Sequence, residues 1–354
     1  MQQERDKPRI SLAMATYNGE RFLPEQLASF LTQTRLPDEL VVCDDGSTDA
    51  TLDVLRAFAA SAPFPVRIHA NPTRLGWREN FFKAASLCEG DWIAFSDQDD
   101  VWLPEKLERC LVALSRSGAL LAVHQAAVVD QNLQRLGRLQ PALPRRLPRD
   151  SSAWVPWDIV QGFCMVVSSE LFRTYPWRRR PDDFRCPGQP FSHDGWVVLL
   201  SQALGRVTLL HEALCLYRQH GGNAVGAPVH DWSKLVRKAP AVGFGAYRER
   251  SRAALTCARY LERLAEATAD AAAEKLRAAA ASYRRRARLY WWRARVYHPL
   301  HGSLGRLREF TLLNLRAAYR AASLGGLGGR SFLKDLVFGV LARREGPGAT
   351  GSRQ

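Results

Sequence analysis

The sequence predicts an α/β fold, a parallel sheet with helices on its faces, followed by a region made of helices alone. Two observations predict the sheet: short apolar runs alternate with helix-spaced segments up to about residue 225, and polar clusters follow the first, second and fourth of those runs. A third marks the boundary, because beyond about Gly226 the chain turns to Ala, Arg and Leu. The expected organisation is one domain over residues 1–225 and a basic, mainly helical region over 226–354.

The elements follow from local pattern. Ile10–Ala15 is a short apolar run feeding Thr16-Tyr17-Asn18-Gly19, a strand and its turn. Leu23–Gln33 repeats apolar residues at helical spacing, and Pro37 lies beyond it. Glu39–Cys43 is a second strand, and Ser47 or Thr48 is expected to cap the helix that runs to about Ala60. Val66–Ala70 is a third strand and Glu79–Cys88 a helix. Trp92–Phe95 is a fourth strand, Leu103–Ser117 a helix opened by Pro104, and Leu120–Val129 another strand. Residues 134–156, rich in Pro and Arg, are expected to loop. Asp158–Ser168 returns to strand, Arg173–Gln189 to loop, Ser192–Leu204 to helix and Val207–Tyr217 to strand.

Bulk properties narrow the class. With 354 residues, 46% hydrophobic and 24% charged, the chain has an ordinary folded composition. It contains no uninterrupted apolar run of the roughly 18 residues that would span a bilayer. The polar start MQQERDKPRI lacks the apolar core of a signal peptide, so a cytoplasmic protein is expected. Seven scattered cysteines without metal-site spacing suit buried thiols in a reducing compartment. A net charge of +15 calls for acidic partners: anionic lipid, nucleic acid or diphosphate-bearing substrates.

Four clusters carry chemistry. Asp44-Asp45-Gly46-Ser47-Thr48-Asp49 ends the second strand, where a carboxylate can accept from a pyrimidine ring N–H or from ribose hydroxyls; an ordinary capped turn explains it as well. Ser96-Asp97-Gln98-Asp99-Asp100 puts three carboxylates within four residues, which repel unless a cation or proton neutralises them. A divalent ion taking one or two of them beside substrate phosphate fits, and a solvated acidic turn is the bland alternative. Val101 and Trp102 stand where an EF-hand loop would need a ligand and a glycine, which excludes that site. Asp194 opens a helix, whose dipole keeps it ionised and able to take a proton from a hydroxyl. Tyr217–Asn223 supplies Arg218, His220 and two glycines suited to a diphosphate or metal. In the turn Asn71–Gly76, Arg74 faces phosphate or solvent.

Taken in order, these segments resemble family 2 glycosyltransferases, inverting enzymes with a GT-A fold. The resemblance covers roughly residues 8–225 and rests on Thr16-Tyr17-Asn18, the DDGSTD stretch, the N-x-x-x-x-G turn at 71–76 and the D-x-D at Asp97 and Asp99. It implies a nucleotide-diphospho-sugar transferase fold, a Rossmann-like mixed, mostly parallel sheet flanked by helices. Thr16, Tyr17, Asn18, Asp44, Asp45, Gly76, Asn80, Asp97, Arg218 and His220 would then be donor-binding. Asp99 would be the principal ligand of Mg²⁺ or Mn²⁺, joined by Asp97 and His220, and Asp194 the general base, although many relatives carry Glu-Asp where this chain has His193-Asp194. The combination S-D-Q-D-D-V-W, H-D-x-W and Y-R-Q-H-x-x-N further resembles the rhamnosyltransferase-like branch that builds bacterial surface polysaccharides. The implied donor is dTDP-, UDP- or GDP-linked and the acceptor a saccharide or lipid-linked saccharide. The alternative is a non-catalytic protein of the same fold that binds nucleotide-sugar or an anionic surface.

In the basic tail, Arg284–Arg286, Arg288, Trp291, Trp292, Arg293 and Arg295 mix cations with interfacial aromatics. They suit either a membrane-facing surface, on the inner face of the cytoplasmic membrane, or a helical subdomain packing its aromatics inward. Nucleic acid is not an expected partner, because the carboxylate clusters would repel it.

Overall fold

The computed structural model describes residues 7–139, 143, 161–183, 186, 188–223, 243–316, 318–319, 327 and 329–341. Among them, nine strands form one sheet: β1 (Ile10–Thr16), β2 (Glu39–Asp44), β3 (Val66–Ala70), β4 (Trp92–Ser96), β5 (Val101–Trp102), β6 (Leu121–Val129), β7 (Arg135–Arg138), β8 (Met165–Ser168) and β9 (Val207–Arg218). Their order is β3-β2-β1-β4-β8-β6-β9-β5, with β7 beside β6. β1 to β4 pair in parallel. β8 enters antiparallel between β4 and β6, which sets β6 and β9 running with β1 again. The sheet is therefore mixed and mostly parallel. β1 and β2 are almost wholly buried along their length, as parallel strands covered on both faces must be.

Among the described residues, six helices accompany the sheet: α1 (Leu23–Leu31), α2 (Thr51–Ser61), α3 (Trp77–Ser86), α4 (Lys106–Ser117), α5 (Glu170–Thr174) and α6 (His193–Leu204). The expected capping of α2 by Ser47 or Thr48 is corrected. Its N-cap is Ala50, and Asp49 accepts the Thr51 amide at 3.0 Å. Ser47 and Thr48 instead bond Asn18, Ser47 Oγ accepting from its amide and Thr48 N donating to its Oδ1. Two expected loops hold structure, β7 in the first and the end of α5 with a 3₁₀ turn at Trp177–Arg179 in the second. Of the expected strand 158–168, Gly162–Cys164 is a 3₁₀ turn and only Met165–Ser168 is strand. Residues 158–160, most of 140–156, 224–242 and 342–354 lie outside the described residues.

The chain divides into two compact units. The first comprises Met1–Arg146, Val155–Pro181 and Gln189–His230 and contains the sheet; the second comprises Leu147–Trp154, Asp182–Gly188 and Asp231–Gln354. In the second, α7 (Phe244–Glu266) and α8 (Asp270–Val296) precede α9 (Ser303–Leu315) and α10 (Gly329–Lys334), which continues as a π-helical segment, Asp335–Leu341. Small residues let α7 and α8 approach closely. Ala254, Cys257, Ala258 and Leu261 are buried on one helix and Leu276, Ala280 and Ala287 on the other, and Ser251 Oγ donates to the Ala287 carbonyl at 2.8 Å. Asp335, fully buried, accepts from Arg293 at 2.9 Å and from the hydroxyls of Tyr297 and Tyr319 at 2.7 Å each. No helix among the described residues is long and apolar enough to cross a membrane.

Candidate active site

Register decides which loops meet. Thr16 pairs with Asp44 and Met14 with Ser96, so the chain leaves β1, β2 and β4 at one sheet edge. β9 runs parallel to β6 and ends at the same edge with Arg218 level with Val129. β5 returns antiparallel along β9, setting Val101 opposite Leu216 and so Asp100 beside Arg218. The carboxylate cluster, the acidic turn after β2 and the Tyr217–Asn223 loop thus share the crevice at the strands' carboxyl ends.

The acidic turn is heavily bonded. Asp44 accepts from Thr16 Oγ1 at 2.9 Å and from the Ser47 amide at 2.8 Å. Asp45 accepts the Leu75 and Gly76 amides at 2.6 and 2.8 Å and the Asn71 side chain at 2.9 Å. Asn80 closes the set, donating to the Cys43 carbonyl at 2.7 Å and accepting from Asn71 at 2.8 Å. Gly76 sits at φ 81°, a conformation that a side chain would strain, and it is the N-cap of α3. Asn18 takes the left-handed region too, at φ 47°, which asparagine tolerates. Thr16, Asn18, Asp44, Asp45, Gly76 and Asn80 therefore act as a frame for two loops. Tyr17 stands on that frame half-exposed, with the Arg74 guanidinium 3.8 Å from its ring centroid.

The carboxylates of Asp97, Asp99 and Asp100 offer oxygens within 4.8 Å of one another. Asp97 is pushed up to about 7, first by burial and then by the charges of Asp99 and Asp194. Burial, Asp99 and Asp97 raise Asp100 well above the usual carboxylate range. Asp100 Oδ1 accepts the Arg218 amide at 3.1 Å, while its buried Oδ2 has no hydrogen-bond partner among the described residues. His220 Nε2 lies 2.9 Å from Asp99 Oδ2, and Asn223 Nδ2 donates to the same oxygen at 3.4 Å. Converging carboxylates, Asp100 buried and Asp97 and Asp99 partly so, with an orphaned oxygen are a donor set that fits a divalent cation, which would relieve their mutual repulsion.

Arg218 is buried, and its guanidinium is occupied by protein groups. It donates to the Asp99 carbonyl and the Gln131 carbonyl, each at 2.8 Å, pairs with Glu25 and lies over the Phe22 ring. It ties the loop after β9 to the aspartate loop. Ser192 is the N-cap residue of α6, and its hydroxyl bonds Asp194 Oδ1, which also accepts the Gly195 amide at 2.7 Å. That Asp194 raises Asp97 places it in the field of the cluster. Its neighbour His193 is buried between Phe81 and Phe95, with ring centroids 4.1 and 4.5 Å away, and burial pushes it down to about 4. A Cβ on Gly162 would stand 2.0 Å from His193 Nε2, so this glycine is the floor on which the imidazole lies.

Sequence reasoning missed three contributors. Gln98 exchanges hydrogen bonds with the Tyr17 backbone, accepting at 2.8 Å and donating at 3.0 Å, and so joins the first and fourth strand loops. Glu25 partners Arg218. Lys106, fully buried, donates to the Phe163 carbonyl at 2.8 Å, sits 3.3 Å from the Trp102 ring centroid and lowers both Asp97 and Asp100. A signal for Lys106 was present, because it shares the buried stripe of α4 with Cys110 and Leu114 at i, i+4 and i+8.

The family model described as glycosyl transferase family 2 matches residues 11–175. Over these residues, just under half of its length, the chain is similar to that family. The matched segment holds the loops after β1, β2 and β4, and the sheet is the mixed, mostly parallel one expected from the motifs. An uncharacterized glycosyltransferase of Nostoc sp. is 30% identical over 61% of this chain and 66% of its own length. A dTDP-rhamnosyl transferase of Shigella flexneri is 37% identical over 28% of this chain and 36% of its own. The chain therefore spans just under two thirds of the first relative and about a third of the second. Among solved structures, residues 1–349 of S. aureus TarS align with 94% of this chain and 89% of that one, at 14% identity and a TM-score of 0.48.

Proposed function

We propose that this chain is an inverting glycosyltransferase that moves a sugar from a nucleoside-diphosphate donor to a saccharide or lipid-linked acceptor in bacterial surface polysaccharide synthesis. The observation that carries this reading is the convergence of Asp97, Asp99, Asp100, His220 and the field of Asp194 on one sheet edge. Asp99, Asp97 and His220 would hold Mg²⁺ or Mn²⁺, and Asp100 Oδ2 is a further oxygen within reach of the cluster. Such an ion, when bound, neutralises charge on a departing diphosphate.

The protein's own groups do the remainder. Asp194 takes the proton of the acceptor hydroxyl as that oxygen bonds the anomeric carbon. The bond from that carbon to the diphosphate oxygen breaks with its electron pair, and the anomeric centre inverts. Tyr17, with Arg74 above it, offers a stacking rim for the nucleotide base. The similarity to the Shigella protein supports dTDP-rhamnose as the donor. The seven free cysteines, six of them buried, support a cytoplasmic location, with the reaction at the inner membrane face where a lipid-linked acceptor would be met.

Thermal-shift titration with UDP-, dTDP- and GDP-sugars, with and without Mn²⁺, tests the reading. Stabilisation by one nucleotide class, dependent on metal and lost in Asp99→Ala, is expected; silence towards every nucleotide overturns it. Asp194→Asn should keep the donor response and lose about 10²–10⁴-fold in turnover. Turnover near the parent rate would remove Asp194 as the base.

A further inference from the structure

Arg284–Arg295, which the sequence suits either to a membrane-facing surface or to a packed helical subdomain, is largely engaged within the helical unit. Arg284 pairs with Glu262, Arg293 with Asp335 and Arg295 with Glu309. The unpartnered surface lies further along the chain. Leu304, Leu307, Thr311 and Leu315 recur at spacings of three, four and four, which places them in one stripe of α9. Leu304 is 84% exposed and Leu315 77%, and Leu300 in the preceding turn is 87% exposed. The opposite face of the same helix buries Phe310 and Leu313. A helix apolar on both sides is ordinarily covered on both sides.

Charge selects what covers it. Over Leu300–Arg316 the chain carries three arginines, Arg306, Arg308 and Arg316, and one acid, Glu309, which is buried against Arg295. Arg308 is exposed one turn from Leu304, and exposed Arg316 adjoins Leu315 with its guanidinium 4.5 Å from the Trp292 ring centroid. A second copy would set this cationic surface against its own like, and a polynucleotide would leave the leucines wet. An anionic bilayer surface satisfies both kinds of residue, the leucines entering the boundary below the headgroups and the arginines meeting phosphate. We propose that the Leu300–Arg316 face of α9 docks this protein, flat and without crossing, on anionic phospholipid. The proposal rests on the preceding reading only for its purpose, bringing a lipid-linked acceptor to the enzyme.

The test is co-sedimentation of the full chain with phosphatidylcholine vesicles and with phosphatidylcholine–phosphatidylglycerol vesicles. The parent should bind the anionic vesicles, less so as salt rises. Leu304→Ser, Leu307→Ser and Leu315→Ser combined should weaken that binding about tenfold or more, with an unchanged circular dichroism spectrum. Arg308→Glu with Arg316→Glu should abolish the preference for anionic vesicles. Equal binding by the serine variant, or no binding by the parent, overturns the proposal. So does a lipid-free parent dimer that the serine changes dissolve in sedimentation velocity, because the stripe would then join two copies. Nucleotide-sugar thermal shifts on the same samples separate the two claims: vesicle binding without any nucleotide response removes the catalytic reading alone, and the reverse removes this surface alone.

Discussion

Two buried acidic sites in this molecule are solved in opposite ways. In the helical unit, Asp335 receives a guanidinium and two phenol hydroxyls, so its carboxylate is fully answered by protein. At the sheet edge, Asp97, Asp99 and Asp100 crowd together with one buried oxygen unanswered among the described residues, and burial with mutual repulsion drives Asp97 and Asp100 upward. The buried cation near them, Lys106, donates to a backbone carbonyl. A carboxylate satisfied by its own chain is a strut. Carboxylates gathered and left short of partners are stabilised by what arrives from outside.

The comparison can be broken first at Asp335. Asp335→Asn should destabilise the helical unit by roughly 3–5 kcal/mol, because it leaves the Arg293 charge buried without its counter-ion. Urea unfolding followed by circular dichroism measures this; a loss below that of an ordinary surface change would make the two sites alike. At the sheet edge the sign should reverse. Asp100→Asn keeps an acceptor for the Arg218 amide and adds a donor towards its acidic neighbours, so the metal-free chain should gain about 1–2 kcal/mol while its response to Mn²⁺ weakens. A metal-free destabilisation would show that the cluster is a strut after all.

A third effect, confined to acid pH, concerns His193. Its folded value is about 4 against 6.5 for a free histidine, so between those values the unfolded chain takes up a proton that the folded chain refuses. Its contribution is present above about pH 6.5 and lost as pH falls towards 4. His193→Phe, which keeps a ring between Phe81 and Phe95, should flatten the decline in stability over that window by about 1 kcal/mol per pH unit. Identical pH slopes for parent and variant would mean that the imidazole is charged when folded.

Much of the fold of the sheet unit was legible because its strands are buried on both faces and must read as apolar runs, as Leu12–Met14 and Val41–Cys43 do. The reversed direction of β8 and the two-residue β5 were not legible. Neither has a local pattern of its own, and both are defined by the neighbours they pair with. The site divides likewise. Asp97–Asp100 and His220 stand out as residue types that sit badly in an apolar context, whereas the role of Arg218 as a buried tie depends on Glu25 and on backbone carbonyls far along the chain. Ser47 and Thr48 do not cap α2 because they bond Asn18 across the crevice, and the Thr51 amide at its start is taken by Asp49.

By itself the sequence determined the alternation of strand and helix, the acidic clusters at the strand ends and the basic helical close, since each is a matter of spacing and residue type along the chain. The tertiary structure alone decided which charges are answered. It closed Arg284, Arg293 and Arg295 onto acids of their own unit, turned Leu304, Leu307 and Leu315 of α9 outward, and left one oxygen of Asp100 without a hydrogen-bond partner among the described residues. A charge or an apolar side chain acquires its energy from what stands next to it in space, and adjacency in space is what the linear order does not contain.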